Sequence, residues 1–243
     1  MTLFRRLGFI LLALLLGGMM VFWNEIPRWR TGGSTPVAAP SVTWGKDLLE
    51  CPATTAAITI FGDSHVSGER SGPNPRPFGS VLEQQLSGKA KMTLHGVGGD
   101  TALMGERRWL SGTASGDLVI LGFGSNDAAP RGWLRRKRAV AIADFKHSLQ
   151  RQIDHWRGRG AKVALLAAPS GGSAAIMARI APYREATLEL GKANQVAVLD
   201  PGDAFATCKA DPPLLGYDAL HMTAAGHACL GTWLAKQICP GSD

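Results

Sequence analysis

The sequence lacks the patterns that mark metal and nucleotide sites. Its four cysteines are isolated from one another, without the paired spacing or neighbouring histidines of zinc sites. No Gly-x-Gly-x-x-Gly motif opens a helix after the first predicted strand, and no Walker motif occurs in the 243 residues. These absences give no support to a metal enzyme, a dinucleotide-binding protein or an NTPase, and we expect no cofactor.

The chain also lacks a strong nucleic-acid footprint, although its formal net charge is +7. The only dense basic run, residues 135–138, lies at the start of a predicted helix and is typical of a solvated helix face. We therefore predict no nucleic-acid partner, and contact of this run with anionic lipid or an acidic glycan is the alternative. Four other arginines precede the predicted domain, which is itself only mildly basic: Arg5, Arg6, Arg28 and Arg30.

The N-terminus carries a long uncharged apolar run, Leu7 to Trp23. Its length is at the short end for a membrane span, and no small-x-small cleavage site follows it. We predict that residues 1–24 are an uncleaved signal anchor in the inner membrane, single-pass, with the rest of the chain in the periplasm. A cleaved signal peptide and a secreted protein are the alternative, and both place the domain outside the cytoplasm.

Residues 25–50 are predicted to be a tether, because they include a small, aperiodic stretch that contains proline and glycine. In residues 51–243, short apolar runs alternate with amphipathic segments, which predicts βαβ units and a parallel sheet with helices on both faces. The expected fold is α/β, a three-layer α/β/α flavodoxin-like domain. Its predicted strands are 57–61, 91–95, 117–121, 162–167 and 195–199. Its predicted helices are 77–87, 102–110, 134–157, 174–191 and 223–238, the last with Thr223 as N-cap.

Small polar clusters follow the first three predicted strands, and one more precedes the last helix. Because the carboxyl ends of parallel strands meet at one edge of a sheet, we expect these clusters to lie together. They contain a serine, glycine amides, an asparagine amide, a histidine and an aspartate, which are the groups that an acyl-transfer site needs. The clusters are Gly62-Asp63-Ser64, Gly98-Gly99-Asp100-Thr101, Gly124-Ser125-Asn126-Asp127 and Asp218-Ala219-Leu220-His221.

This arrangement resembles the SGNH, or GDSL-type, hydrolases, a family of serine esterases and lipases with four sequence blocks in this order. The resemblance covers about residues 57–238. It implies that Ser64 is the nucleophile, that His221 is the general base and that Asp218 orients this base. It also implies an oxyanion hole made of the N–H groups of Ser64 and Gly99 and the side chain of Asn126.

The sequence departs from the family pattern at two positions. His65 follows the nucleophile where the family usually has leucine, and Leu94 stands where the second block often carries asparagine. A histidine at the first position also occurs in SGNH domains linked to polysaccharide acyltransferases. The sequence lacks the Gly-x-Ser-x-Gly elbow, which argues against the different α/β-hydrolase fold.

Other titratable residues are expected to be structural. His227 is the closest competitor of His221 as the base, but its helix favours close packing there. We expect Asp63 and Asp127 to brace loops, and Asp100 to have no catalytic role. His65 is expected to pack or cap, and three further histidines are expected within secondary structure: His95, His147 and His155.

The resemblance implies a serine esterase that hydrolyses a small acyl ester, with acetyl favoured by short loops without an apparent lid. The expected substrate is an acylated small molecule or glycan, such as an envelope or exported carbohydrate. Two alternatives remain open: an O-acyltransferase that uses the same site, and a non-catalytic glycan-binding domain.

The four cysteines allow up to two disulfides in three pairings, and free thiols are the alternative. In the predicted topology, Cys51 precedes the first strand and Cys239 ends the last helix, so both lie at the edge away from the site. We therefore predict the pairs Cys51–Cys239 and Cys208–Cys229, the second of which would brace the loop that carries Asp218 and His221.

Overall fold

A computed structural model of the chain describes residues 33–72, 76–112, 116–128 and 138–240. Five strands form one parallel sheet in the order β2-β1-β3-β4-β5. This is a doubly wound order whose switch point lies between β1 and β3, which confirms the predicted fold class. The strands are β1 (Ala56–Gly62), β2 (Ala90–Gly96), β3 (Leu118–Gly122), β4 (Lys162–Leu166) and β5 (Ala197–Leu199).

Helices follow the strands along the chain. The α-helices among the described residues are α1 (Ser64–Ser67), α2 (Phe78–Gln85), α3 (Ala102–Trp109), α4 (Ile142–Gly158), α5 (Ala174–Asn194), α6 (Pro201–Thr207) and α7 (Ala224–Ile238). The hydroxyl of Thr223 caps α7 as predicted, by accepting from the N–H of Gly226 at 3.2 Å. α4 begins at Ile142 rather than at residue 134, because residues 138–141 are not helical. α6 escaped prediction, although Asp200 caps it and Pro201 occupies its first position.

The helices bury the sheet on both faces. One apolar core contains Phe78 of α2 and Leu230 of α7, packed with β1 and β3. The other core contains Trp156 of α4 and Tyr183 of α5, packed with the opposite side chains of the same strands. The central strands β1 and β3 are therefore buried on both faces, which is typical of parallel sheets covered by crossover helices.

The part of the predicted tether that the structure describes is packed onto the domain, and the compact unit that contains the domain begins at Gly33. Ser34 pairs with Leu215 through two backbone hydrogen bonds, of 2.9 and 3.1 Å. Trp44 pairs in the same way with Val198 on the edge strand β5. The bonds of Trp44 cover part of the β5 edge, which would otherwise present unpaired backbone groups.

The structure confirms both predicted disulfides. Cys51 bonds to Cys239 at the amino-terminal edge of the sheet, where β1 begins and α7 ends. Cys208 bonds to Cys229 with a Cα–Cα distance of 6.1 Å, which joins the end of α6 to α7. The second bridge spans the segment that contains Asp218 and His221.

No helix in the described ranges is long and apolar enough to cross a membrane. The predicted signal anchor, residues 1–24, lies outside these ranges.

Candidate active site

The ends of three neighbouring strands bring the predicted catalytic blocks together. Gly62, the last residue of β1, is in register with Gly96 of β2 on one side and with Gly122 of β3 on the other. A side chain at Gly96 would collide with the backbone of Ser67 in α1, so glycine at this position lets the helix rest on the strand ends. The serine, glycine and asparagine blocks therefore leave the sheet side by side.

Ser64 is the first residue of α1, directly after the turn that ends β1. Asp63 caps this helix, because its carboxylate accepts from the N–H of His65 at 2.9 Å. The Ser64 hydroxyl lies 3.0 Å from Nε2 of His221. At this distance the imidazole can accept the proton of the hydroxyl, as a general base must.

His221 is held by Asp218, three residues earlier in the same loop. Oδ2 of Asp218 lies 2.6 Å from Nδ1 of His221, and Oδ1 accepts from the N–H groups of Leu220 and His221, each at 3.0 Å. Burial opposes ionisation of Asp218, but the hydrogen bond and charge of His221 together with these backbone donors hold its pKa well below the ordinary value. Asp218 is therefore ionised and fixes the imidazole so that Nε2 faces the serine.

Of the three predicted oxyanion donors, Ser64 begins α1, while Gly99 and Asn126 lie on the loops that follow β2 and β3. Nδ2 of Asn126 donates to the carboxylate of Asp63 at 3.1 Å. An amide nitrogen carries two hydrogens, so this bond leaves the second one for a substrate oxygen. Gly99 has a φ of 85°, a left-handed conformation that favours glycine, and it lies in a turn closed by the bond from Asp100 N–H to the Val97 carbonyl.

Two buried carboxylates brace these loops rather than contact the nucleophile. Asp63 holds α1 and Asn126, while Asp127 accepts from the N–H of Ala102 at the start of α3, at 3.1 and 3.2 Å. Burial raises the pKa of each carboxyl to about 7. Asp100, the third aspartate of these blocks, makes two hydrogen bonds to the guanidinium of Arg108, at 2.9 and 3.1 Å.

The competing histidine, His227, is buried in α7 and bonds to the backbone of α2. Its ring is 1% exposed, and its Nδ1 accepts from the backbone N–H of Phe78 at 3.2 Å. Burial and the neighbouring His221 lower its pKa to about 4. A neutral ring that accepts a backbone hydrogen bond is part of the packing between α2 and α7.

His65, the departure from the family pattern, is also buried and neutral. Burial and the neighbouring His221 and His227 lower its pKa to about 3. Its ring stacks on that of His221, with 5.6 Å between centroids, and it lines a small cavity with Ser125 and Met222. His65 therefore packs against His221, the predicted base, which agrees with the packing role expected of it. Leu94, the second departure, packs against Gly79 of α2.

Two residues at the site escaped prediction. Oε1 of Glu69 accepts from the N–H of Gly98 at 3.1 Å, next to the predicted oxyanion glycine. Nη1 of Arg70 lies 3.2 Å from Oδ2 of Asp218. Both contacts join residues far apart in the sequence, so no local pattern could have indicated them.

At the carboxyl edge of this doubly wound sheet, a serine contacts a histidine, and the histidine contacts an aspartate. This arrangement defines a serine hydrolase. Residues 60–229 match the model of the GDSL-like lipase/acylhydrolase family. The chain belongs to this family, whose members hydrolyse carboxylic esters. A comparison with curated proteins found no match.

Several solved structures share the fold. A lipase/acylhydrolase from Enterococcus faecalis is 24% identical with a TM-score of 0.62, over 75% of this chain and 94% of that one. Axe2, an acetylxylan esterase from Geobacillus stearothermophilus, is 15% identical with a TM-score of 0.65, over 78% and 96%. LAE5, an alpha/beta hydrolase enzyme from the metagenome of Lake Arreo, Spain, is 20% identical with a TM-score of 0.62, over 76% and 96%.

Proposed function

We propose that this esterase removes a small acyl group, acetyl, from O-acylated carbohydrate in the cell envelope, with Ser64, His221 and Asp218 as its catalytic residues. The observation that carries this proposal is the continuous hydrogen-bonded path from the Ser64 hydroxyl through His221 to Asp218, of 3.0 and 2.6 Å. A path of this geometry generates a nucleophilic serine oxygen at neutral pH.

In the first half of the proposed reaction, the Ser64 oxygen attacks the ester carbonyl while His221 takes the hydroxyl proton. The negative charge then lies on the former carbonyl oxygen, where the N–H groups of Ser64 and Gly99 and the free amide hydrogen of Asn126 donate to it. Collapse breaks the bond to the alcohol oxygen, which receives the proton from His221. The acyl group remains as an ester of Ser64.

In the second half, a water molecule attacks the acyl carbonyl and gives its proton to His221. Collapse of the second tetrahedral intermediate breaks the bond to Ser64, whose oxygen takes the proton back, and the carboxylic acid leaves. Asp218 stays ionised throughout and balances the positive charge of the imidazolium in both halves.

The preference for a small acyl group is supported by the short loops that follow β1 and β2, in which Ser64 comes two residues after β1 and Gly99 three residues after β2. Carbohydrate as the acyl carrier is supported by the fold that the chain shares with an acetylxylan esterase. The two disulfides support an oxidising compartment, which agrees with the signal anchor proposed for residues 1–24.

The proposal is tested with a fluorophosphonate probe and with acetylated xylooligosaccharides. We expect the wild-type protein to be labelled by the probe and to release acetate. The folded Ser64→Ala variant should neither be labelled nor release acetate. Acetate release by folded Ser64→Ala would contradict the assigned nucleophile. Transfer of acetyl to an added glycan acceptor, in place of acetate release, would instead identify an O-acyltransferase.

A further inference from the structure

Arg70 lies at the catalytic site without being part of the hydrolytic machinery described above. It lies six residues after Ser64, in a turn fixed to the nucleophile's own helix. The N–H groups of Gly68 and Glu69 both donate to the carbonyl oxygen of Ser64, at 3.1 Å each. Arg70 itself has a φ of 63°, a left-handed conformation that is uncommon for a residue with a side chain. Strained backbone of this kind clusters at functional sites.

The triad does not depend on Arg70 for its hydrogen bonds. Asp218 already accepts from three donors at 2.6 to 3.0 Å, whereas the guanidinium of Arg70 lies farther away, at 3.2 Å. The Arg70 side chain is 59% exposed, and exposed ion pairs contribute little to stability. A role in holding Asp218 therefore does not account for an arginine in a strained turn.

The guanidinium of Arg70 has the chemistry of an anion-binding group. It carries five N–H donors in a planar fork that matches a carboxylate, and one contact to Asp218 leaves most of the fork facing solvent. The adjacent carboxylate of Glu69 is directed to Gly98 N–H on the neighbouring loop.

We infer that Arg70 is a specificity residue that binds an anionic group, a carboxylate, on the alcohol side of the scissile ester, so that the substrate class is an O-acylated acidic saccharide. This inference rests on the proposed function, because the same triad must cleave the ester. Arg70 acts in substrate binding, so its removal should raise KM for an acidic substrate more than it lowers kcat.

The test compares acetylated oligogalacturonides with the same oligosaccharides in methyl-esterified form, which lack the negative charges. Acetate release gives kcat and KM for wild-type, Arg70→Gln, Arg70→Lys and the control Arg179→Gln, which changes an exposed arginine on α5. We expect the wild-type protein to prefer the acidic form. Arg70→Gln should lower this preference by about tenfold, equal to the loss of about 1.4 kcal/mol of binding, mainly through KM. Arg70→Lys should keep part of the preference, and Arg179→Gln all of it.

Three outcomes would overturn the inference. An equal fall of kcat on both substrates in Arg70→Gln would show that Arg70 acts through Asp218 as a positioning residue. Equal hydrolysis of the acidic and methyl-esterified forms by the wild-type protein would show that the site does not recognise the negative charge of the substrate. If the wild-type protein hydrolyses neither form and does not react with the fluorophosphonate, the proposed function fails as well. Reaction with the fluorophosphonate therefore distinguishes a failure of this inference from a failure of the proposed function.

Discussion

The carboxylate of Asp63 accepts a hydrogen bond from the side-chain amide of Asn126 at 3.1 Å. One residue precedes the nucleophile and the other is the proposed third oxyanion donor, so the two sides of the site are tied together. Because Asp63 also caps α1, a single buried carboxylate orients the Ser64 helix and the Asn126 amide.

Replacing this carboxylate should impair catalysis more than stability. Asp63→Asn keeps the size of the side chain but replaces one carboxyl oxygen with an NH2 group, so that His65 N–H and the Asn126 amide can no longer both find an acceptor there. We expect kcat for an acetyl ester to fall by roughly 10- to 100-fold with a smaller change in KM, since the oxyanion forms only during the reaction. Asn126→Ala should cost about a hundredfold or more.

The double variant separates this role from a general disturbance. If Asp63 acts through Asn126, adding Asp63→Asn to Asn126→Ala should lower kcat little further. If the two substitutions instead lower kcat independently, so that their separate factors multiply in the double variant, Asp63 does not act by orienting Asn126. Thermal unfolding of each variant shows whether the fold is kept.

The two C-terminal histidines should respond differently to the same change. His221→Ala should lower kcat by about 10⁴-fold and leave the melting temperature nearly unchanged, because this ring is the proposed base. His227→Ala should lower the free energy of unfolding by roughly 2–4 kcal/mol, because it opens a cavity and leaves the Phe78 N–H without its acceptor. Steady-state rates and urea unfolding measure the two effects, and the reverse pattern would show that the base is misassigned.

His227 should also make stability depend on pH. Its pKa is lowered to about 4 in the folded protein, whereas in the unfolded chain it is near its ordinary value of about 6.5. Between these two pH values, His227 is protonated in the unfolded state but neutral in the folded state. The free energy of unfolding therefore decreases as pH falls from about 6.5 to about 4. This contribution of His227 amounts to on the order of 3 kcal/mol.

Urea unfolding of wild-type and His227→Ala protein across this pH range tests the expectation. The difference between the two free energies of unfolding should shrink as pH falls, while the effects of Asp63 and Asp127 cancel because both proteins contain them. A difference that stays constant with pH would contradict a depressed pKa of His227.

Replacing one partner of the buried ion pair between Arg184 and Asp200 should strongly lower the free energy of unfolding. Arg184 and Asp200 are 3% and 0% exposed, and their closest atoms are 2.5 Å apart. Asp200 also accepts from the N–H of Val42, which holds the N-terminal segment against the domain. Arg184→Leu should cost roughly 3–5 kcal/mol in urea unfolding, because it leaves a buried carboxylate without its partner.

The matched control is the pair of substitutions together. Arg184→Leu with Asp200→Leu removes both charges, so part of the lost stability should return. A double variant that is less stable than Arg184→Leu would show that the lost cap of α6 and the lost Val42 contact outweigh the relief of the unpaired charge.

The sheet and the catalytic blocks were predictable because their signals are local. The central strands β1 and β3 are apolar runs, and each ends in a glycine at the point where the polar block begins. The order of the blocks along the chain then fixed which side chains meet, since parallel strands all end at one edge. Ser64, His221 and Asp218 could therefore be assigned together, and the structure brings them into hydrogen-bonding contact.

The features that escaped prediction depend on contacts between distant parts of the chain. The segment before residue 51 reads as a tether because its composition is aperiodic, yet the backbone groups of Ser34 and Trp44 bond to Leu215 and Val198. Such bonds involve groups that every residue has, so they leave no trace in the sequence. The position of Arg70 depends on a left-handed residue that is not glycine, which turn propensities do not indicate.

The Cys51–Cys239 bridge closes almost the whole domain into a covalent ring. Any single cut of the chain between these two residues leaves the two fragments attached to each other through sulfur. A protease that nicks a surface loop would thus leave a molecule that migrates as one species on a denaturing gel until a reductant is added. The ring also keeps Ser64 and His221, which lie on opposite sides of most such cuts, within one molecule.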